Sequence, residues 1–438
     1  MKQLKVAVVG CGNRGQAYAG YTFLRPEEVE IKCVVDVDKH ALEYAKKQYN
    51  VKDGFAFSSI EDFIDAKVEC DFVINATMDS IHYKTAIQLL NAGYNLLLEK
   101  PVTANPKEFL DIVRISKEKN LKVFVCHVLR YAPFYRAIKD VLEAGTIGNI
   151  VSIESNEHVG FAHYIESYVR GPWKSETECG STFLLAKCCH DLDLICWLNG
   201  ATKPKQISSF GSRSHFILDQ RPEGATDNCF TCPHSKTCLF DSEKLHLEYQ
   251  PMPFQTYKEL ISKLDKDAED IPDDVKMEYL KTSEFGKCVY LGKDLVDRQS
   301  VDIQFENGSI ASFCMIGGVA RADRYINIVG TKGEIEGKIS DKKFTIRTMD
   351  RSKGKYEYVN EEVDISNRII NNEKYGGHGG GDFAIMRDVV RFMAGEGATT
   401  SLTEIHDSIP GHFCVYEAEE SRKTGKIVNY QEFIDNHK

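Results

Sequence analysis

The spacing of apolar residues changes along this chain near residue 127. Before that point, short runs that are apolar almost throughout (LKVAVV, VEIKCVV, DFVINAT, YNLLL, KVFVCHV) alternate with helical patterns, among them about 80–92 and 106–119. Strands without polar alternation, separated by amphipathic helices, predict a parallel sheet covered by helices on both faces. After one further helix, FYRAIKDVLEAG, strict alternation takes over in IVSIESNEHVG, QSVDIQFENGSIASFCMIG and RYINIVGTKGEIEGKI, with hairpins marked by Asn307-Gly308 and Lys332-Gly333. The expected architecture is an α/β doubly wound domain over 1–126, then an α+β domain over 127–438 with a large open, mostly antiparallel sheet.

Composition narrows the function classes. A chain of 438 residues exceeds what one core fills, so two domains are expected. A formal net charge of -10 with no basic block argues against nucleic acid and anionic membrane as partners. No run of about 18 apolar residues occurs. The start, MKQLKVAVVGCG, leads into a strand where a signal peptide would carry its apolar region, so a cytoplasmic location is expected. Fourteen cysteines in such a compartment read as small core residues wherever they fall in apolar segments.

The first strand runs into Gly10, Gly12 and Gly15, a GxGxxG at the start of a helix. The first glycine allows the tight turn, the second lets backbone approach a pyrophosphate, and the third lets helix and strand pack closely. Asp36 closes the second strand, 21 residues after Gly15, where a carboxylate accepts hydrogen bonds from the adenosine ribose. The same charge repels a 2′-phosphate, so the expected cofactor is NAD and the domain a Rossmann fold.

Several separate motifs, in order, resemble one family. GCGNRG, ATMDSIHYKTA, Glu99-Lys100-Pro101 in LLLEKPVT, VLRYAPFYRAIKDVLEAGTIGNI, CCHDLDLICWL and EESRKTGKIVNY together are similar to the glucose–fructose oxidoreductase, inositol dehydrogenase and rhizopine catabolism superfamily, Gfo/Idh/MocA. The resemblance covers nearly the whole chain. It implies NAD(P)-linked chemistry on a hydroxyl of a sugar or cyclitol, with cofactor contacts from Gly10, Gly12, Asn13, Arg14, Gly15, Asp36, Thr77, His82, Glu99 and Lys100. It also implies Lys100 beside the reacting oxygen, Arg130 and Tyr131 near substrate, and a homo-oligomer built through the second sheet.

Within STFLLAKCCHDLDLICWLNG, a cation, an imidazole and two carboxylates sit in an otherwise apolar helix. Buried charges need partners. Lys187, His190, Asp191 and Leu194 share a face by i, i+3, i+4 spacing. His190 is the expected base, since an imidazole with a pKa near 6.5 suits removal of a hydroxyl proton near neutrality; Lys187 is expected to assist. The family's aspartate four positions before this histidine is here Ala186. That departure supports an alternative, an NAD-retaining glycoside hydrolase or lyase that oxidises transiently, eliminates, and returns the hydride. EHVGFAHYIESYVRGPWK concentrates His158, His163, Tyr164, Tyr168, Arg170 and Trp173, with His158, Tyr168, Arg170 and Trp173 as the expected sugar-facing groups. KYGGHGGGDF places His378 among five glycines before a helix near Asp382, which reads equally as that helix's N-cap.

Cys229, Cys232 and Cys238 stand at C-x2-C-x5-C inside a charged insertion over about 223–290. Three thiolates at this spacing supply three corners of a structural zinc site, with Cys288 or His234 as the fourth.

Overall fold

The computed structural model describes residues 2–200, 202–350, 357–368 and 377–438. Six strands form the first sheet: β1 (Leu4–Val9), β2 (Val29–Val35), β3 (Ala56–Phe57), β4 (Phe72–Asn75), β5 (Leu96–Leu98) and β6 (Val123–Val125). They are parallel in the order β3-β2-β1-β4-β5-β6. The order reverses between β1 and β4, so a crevice opens beyond the carboxyl ends of these strands, the place where such sheets bind ligands. β4 and β5 are buried at every position, which is why their sequences do not alternate.

Nine strands form the second sheet: β7 (Ile150–Gly160), β8 (Pro204–Ser212), β9 (Arg298–Phe305), β10 (Ile310–Val319), β11 (Asp323–Gly330), β12 (Gly333–Lys338), β13 (Lys343–Asp350), β14 (Glu357–Asp364) and β15 (Val428–Asn429). Their order is β14-β13-β12-β11-β7-β10-β9-β8-β15, antiparallel except for the β7–β10 pair. The turns at Asn307-Gly308 and before Gly333 join β9 to β10 and β11 to β12. On β7, Ile153, Glu157 and Val159 are buried while Glu154 is exposed. The inner face packs on the helix Phe183–Leu198, which lies against the helix Ile409–Thr424.

The helix Gly381–Met393 turns back onto the first sheet. Phe383, Ile385, Met386, Val389 and Val390 share one buried cluster with Tyr18, Phe124 and Cys126. Residues from the last quarter of the chain thus close the underside of the nucleotide crevice, an arrangement that periodicity within 1–126 does not announce. The insertion between β8 and β9 folds into short helices around a small cluster of its own, Tyr257, Leu280 and Phe285.

Candidate active site

The three glycines of the first turn are needed for three different reasons. Gly10 has φ +90°, and a Cβ there would lie 2.5 Å from the Ala76 carbonyl oxygen. At Gly15 a Cβ would come within 2.0 Å of the Gly10 oxygen, so helix and strand meet there without room for a side chain. Gly12 has nothing within 4 Å of that position and faces open space. Crowding at two glycines and space at the third fit a pyrophosphate laid over the turn. Asp36, just past β2, accepts the Cys11 amide at 2.7 Å on one oxygen and the Asp38 amide at 2.8 Å on the other, which fixes its carboxylate at the rim of the turn. Asn13 opens the following helix. Thr77 Oγ1 bonds Asn75 at 3.0 Å and Thr85 at 3.1 Å just beyond β4.

Arg14 ties this turn to two distant elements. Its guanidinium donates to Glu99 at 2.6 Å and to both oxygens of Asp382 at 2.8 and 3.1 Å, and it lies against Tyr18, whose hydroxyl donates to Glu99 at 2.9 Å. Burial pushes the Glu99 carboxyl upward in pKa, but Arg14 and Lys100 outweigh it and hold the group below the usual carboxylate range. Asp382 also accepts the Gly377 amide and pairs with His378 Nδ1 at 3.1 Å. It is therefore a junction between the cofactor turn and the glycine-rich loop, a role richer than helix capping. Nδ1 of His82 lies 2.7 Å from the Pro101 carbonyl, which orients the turn that carries Lys100.

The helix Phe183–Leu198 begins with Thr182 capping the Leu185 amide. Its buried charges are paired from far along the chain. Asp193 is gripped by Arg130 at 2.7 and 2.5 Å, and Asp191 by Arg324 of β11 at 2.7 Å. Arg324 also pairs with Glu157 of β7 at 2.8 Å, and Glu157 takes Lys187 at 3.4 Å. Burial, partly offset by Arg324, pushes Asp191 up to about 6. His190 differs from all of these: it is 2% exposed, and neither ring nitrogen has a hydrogen-bond partner. Burial first, then Lys100 and His378, hold its pKa well below that of an ordinary histidine, so it is neutral near pH 7. Lys100 Nζ donates to the Ala186 carbonyl at 2.7 Å, and the His378 ring lies 5.4 Å from that of His190. Lys100, Lys187, His190 and His378 thus converge where the crevice of the first sheet meets the inner face of the second.

Other expected residues fall elsewhere. Arg130 and Tyr131 are in the core, the first on Asp193 and the second with its hydroxyl 3.0 Å from Thr403. His158 alternates with Glu157 and so lies on the opposite, outer face of the sheet. Tyr168 packs on Phe183 with ring centres 4.6 Å apart, and Trp173 donates to Asp79 at 3.2 Å, so both stand at the seam between the sheets. Arg170 is buried beside the cysteines, donating to the Lys287 and Phe240 carbonyls and to Cys229 Sγ. The four cysteines line one cavity. As they stand, however, no three His, Cys, Asp or Glu side chains among the described residues are grouped to hold a metal ion, so a formed zinc site is not observed.

Glu157 and Arg324 belong to the site and were not singled out for it by the sequence. His163 is pushed down to about 3 by burial and then by Lys187, Lys100 and His378. Its stretch of the chain gave a signal; the ion pairs, which span 30 to 368 residues, gave none.

Residues 4–127 match the oxidoreductase family with an NAD-binding Rossmann fold, and residues 139–406 match the C-terminal alpha/beta domain of the same family. The chain belongs to the Gfo/Idh/MocA oxidoreductase family. Among Gfo/Idh/MocA relatives, the putative oxidoreductase YteT of Bacillus subtilis is 23% identical over 87% of this chain and 88% of its own length. The inositol 2-dehydrogenase of Corynebacterium glutamicum is 26% identical over 46% of this chain and 55% of its own. A solved oxidoreductase of Agrobacterium radiobacter, in complex with NAD+, L-tartaric acid and magnesium, superposes with a TM-score of 0.69 at 15% identity, covering 98% of this chain and 99% of that one. Levoglucosan dehydrogenase with NADH and levoglucosan does so with a TM-score of 0.68 at 16% identity, with the same coverage of each chain. At these identities the solved structures speak for the shared fold. No helix among the described residues is long and apolar enough to cross a membrane.

Proposed function

We propose that this protein is an NAD-dependent oxidoreductase that moves a hydride between NAD and a hydroxyl of a sugar or cyclitol. The observation that carries the reading is His190: a buried, neutral imidazole with both nitrogens unpartnered, set between Lys100 and His378. Bound NAD supplies the hydride acceptor. Asp36 receives the ribose hydroxyls, and Gly12 leaves room for the pyrophosphate. Lys100 donates to the substrate oxygen, while a ring nitrogen of His190 takes the hydroxyl proton. Lys187, neutralised by Glu157, sets the field of the pocket more than it supplies a free charge, and Tyr168, Trp173, His163 and His378 wall the sugar. A cytoplasmic setting suits fourteen unpaired thiols. We assign a homo-oligomer contact to the outer face of the second sheet, where His158 and Cys314 are half-buried.

The second reading, redox-assisted cleavage of a glycoside with no net redox change, is favoured by one feature. Ala186 replaces a carboxylate, while the His378–Asp382 pair offers another proton-transfer group beside His190. Incubation with NAD and a panel of sugars, inositols and aryl glycosides, recording NADH absorbance and aglycone release together, separates the two. NADH accumulation is expected; aglycone release without it establishes the second reading. Tight NADP binding unaltered by Asp36→Ala contradicts the cofactor assignment.

A further inference from the structure

The inserted segment raises a stability question. Between β8 and β9 it folds into short helices whose own buried apolar cluster has three members, Tyr257, Leu280 and Phe285. Phe240, Leu245 and Val289 anchor parts of it on the main core, but the helices between them have only this small cluster, which rarely holds a stretch of this length in one conformation without a staple. The two ends of the insertion meet at the cysteines. An isolated β-bridge joins Asn228 to Lys287, and the Cys288 amide donates to the Asp227 carbonyl at 2.8 Å, which sets Cys288 beside the loop carrying Cys229, Cys232 and Cys238. All four line one cavity together with Arg170.

Two further observations bear on what that cavity holds. Backbone amides two residues downstream face two of the sulfurs: the Phe240 amide donates to Cys238 Sγ at 3.4 Å, and the Tyr290 amide to Cys288. Arg170 is 2% exposed and, among the described residues, has no carboxylate within ion-pair distance, Asp241 acting on it only from farther off. Its guanidinium instead bonds two carbonyls, His246 Nε2 and Cys229 Sγ at 3.2 Å. A buried cation without an anion is costly. Four thiolates around a divalent cation carry a net charge of minus two, and the counter-charge that Arg170 lacks is then present.

We infer that Cys229, Cys232, Cys238 and Cys288 close on one zinc ion, which with Arg170 as its buried counter-cation clamps both ends of the 223–290 insertion. Cys288 is preferred over His234 as the fourth ligand because the Asn228–Lys287 bridge and the Cys288–Asp227 backbone bond hold it beside the cysteine loop, and a fourth thiolate supplies the second negative charge that faces Arg170. Binding requires the thiols to turn inward, and Cys232, Cys238 and Cys288 are half-buried at the cavity wall with room to do so. Four protein ligands leave no open position, so the ion is structural and its presence is independent of the NAD chemistry.

The test is elemental analysis of the full chain, made without a histidine tag in zinc-replete reducing medium, with chelator-monitored zinc release on thiol modification. About one zinc per chain is expected, falling to about a tenth or less in Cys232→Ser and Cys288→Ser. Stripping zinc from the wild type with a strong chelator should raise hydrogen exchange across 223–290 and leave 4–125 unchanged, a readout that stands even if the variants fail to fold. Absence of zinc after purification and after zinc addition overturns the inference. So do zinc retained at full stoichiometry by both variants, a disulfide among these cysteines in reducing buffer, and iron with acid-labile sulfide in place of zinc.

Discussion

The cofactor turn and the helix Phe183–Leu198 face each other across the crevice, and they are built on opposite principles. At the turn, conformation comes from backbone packed on backbone: Gly10 leaves no room for a side chain against Ala76 at the end of the neighbouring strand, and Gly15 none against Gly10. In the helix, every buried carboxylate is held by an arginine from elsewhere, Arg130 on Asp193 and Arg324 on Asp191, and the one polar group left unpartnered is His190. Pairing all charges but leaving an imidazole free is what a proton-handling site needs, because a group already satisfied by hydrogen bonds has less to gain from substrate.

The comparison can be broken most severely at the helix. Arg130→Met leaves the buried Asp193 without its guanidinium, with only the His127 ring at 3.6 Å, and is expected to cost about 3–5 kcal/mol in urea unfolding, whereas Arg130→Met with Asp193→Leu should recover most of that loss. If the single and double variants are equally unstable, Arg130 acts through packing instead.

Within the turn, two alanines should behave differently. Gly15→Ala must displace backbone and is expected to lose about 1–3 kcal/mol of stability together with NAD binding. Gly12→Ala should melt with the wild type yet bind NAD at least about tenfold more weakly, because only the ligand approaches that position. Equal melting losses in the two variants contradict the assignment of Gly12 to the pyrophosphate.

Acidity sharpens the contrast further. His190, His127 and His412 are buried with pKa values held well below the ordinary histidine value, mainly by desolvation. The unfolded chain therefore binds protons at a pH where the folded chain does not, and stability falls as pH drops through about 6.5, by up to about 1.4 kcal/mol per pH unit for each histidine. Denaturant midpoints that do not change between pH 7.5 and 5.5 argue against neutral buried imidazoles.

A smaller effect of opposite sign lies at Glu417, outside the site. Both its oxygens are buried without partners, and desolvation raises its pKa to about 9. Its contribution to stability declines as pH rises from the unfolded carboxyl value toward 9. Glu417→Gln should therefore gain about 1 kcal/mol or more near pH 8, and less near pH 5.

The sequence carried the nucleotide half almost completely. Strand runs, GxGxxG and Asp36 are features of contiguous residues, and β2 ends one residue before Asp36. It also carried the alternation and hairpins of the second sheet, because period and turn chemistry are local. It could not show that Arg14 reaches Asp382, or that Arg324 bridges Glu157 and Asp191, because those contacts depend on how the glycine-rich loop and β11 come over the helix. For the same reason Arg170 reads as a sugar-binding group, since composition identifies a guanidinium but not which buried acceptors surround it, and Arg130, expected near substrate from the family resemblance, stands on Asp193.

The central claim is that His190 takes the proton while hydride leaves the substrate. Its most direct test is single-turnover NADH formation by wild type and His190→Ala on the best polyol substrate, with NAD affinity and thermal unfolding measured on the same samples. The account predicts a rate loss of about 2 to 4 kcal/mol in transition-state stabilisation, NAD affinity within about twofold, and a folded protein. A His190→Ala protein that is destabilised yet turns over at the wild-type rate per folded molecule would contradict it.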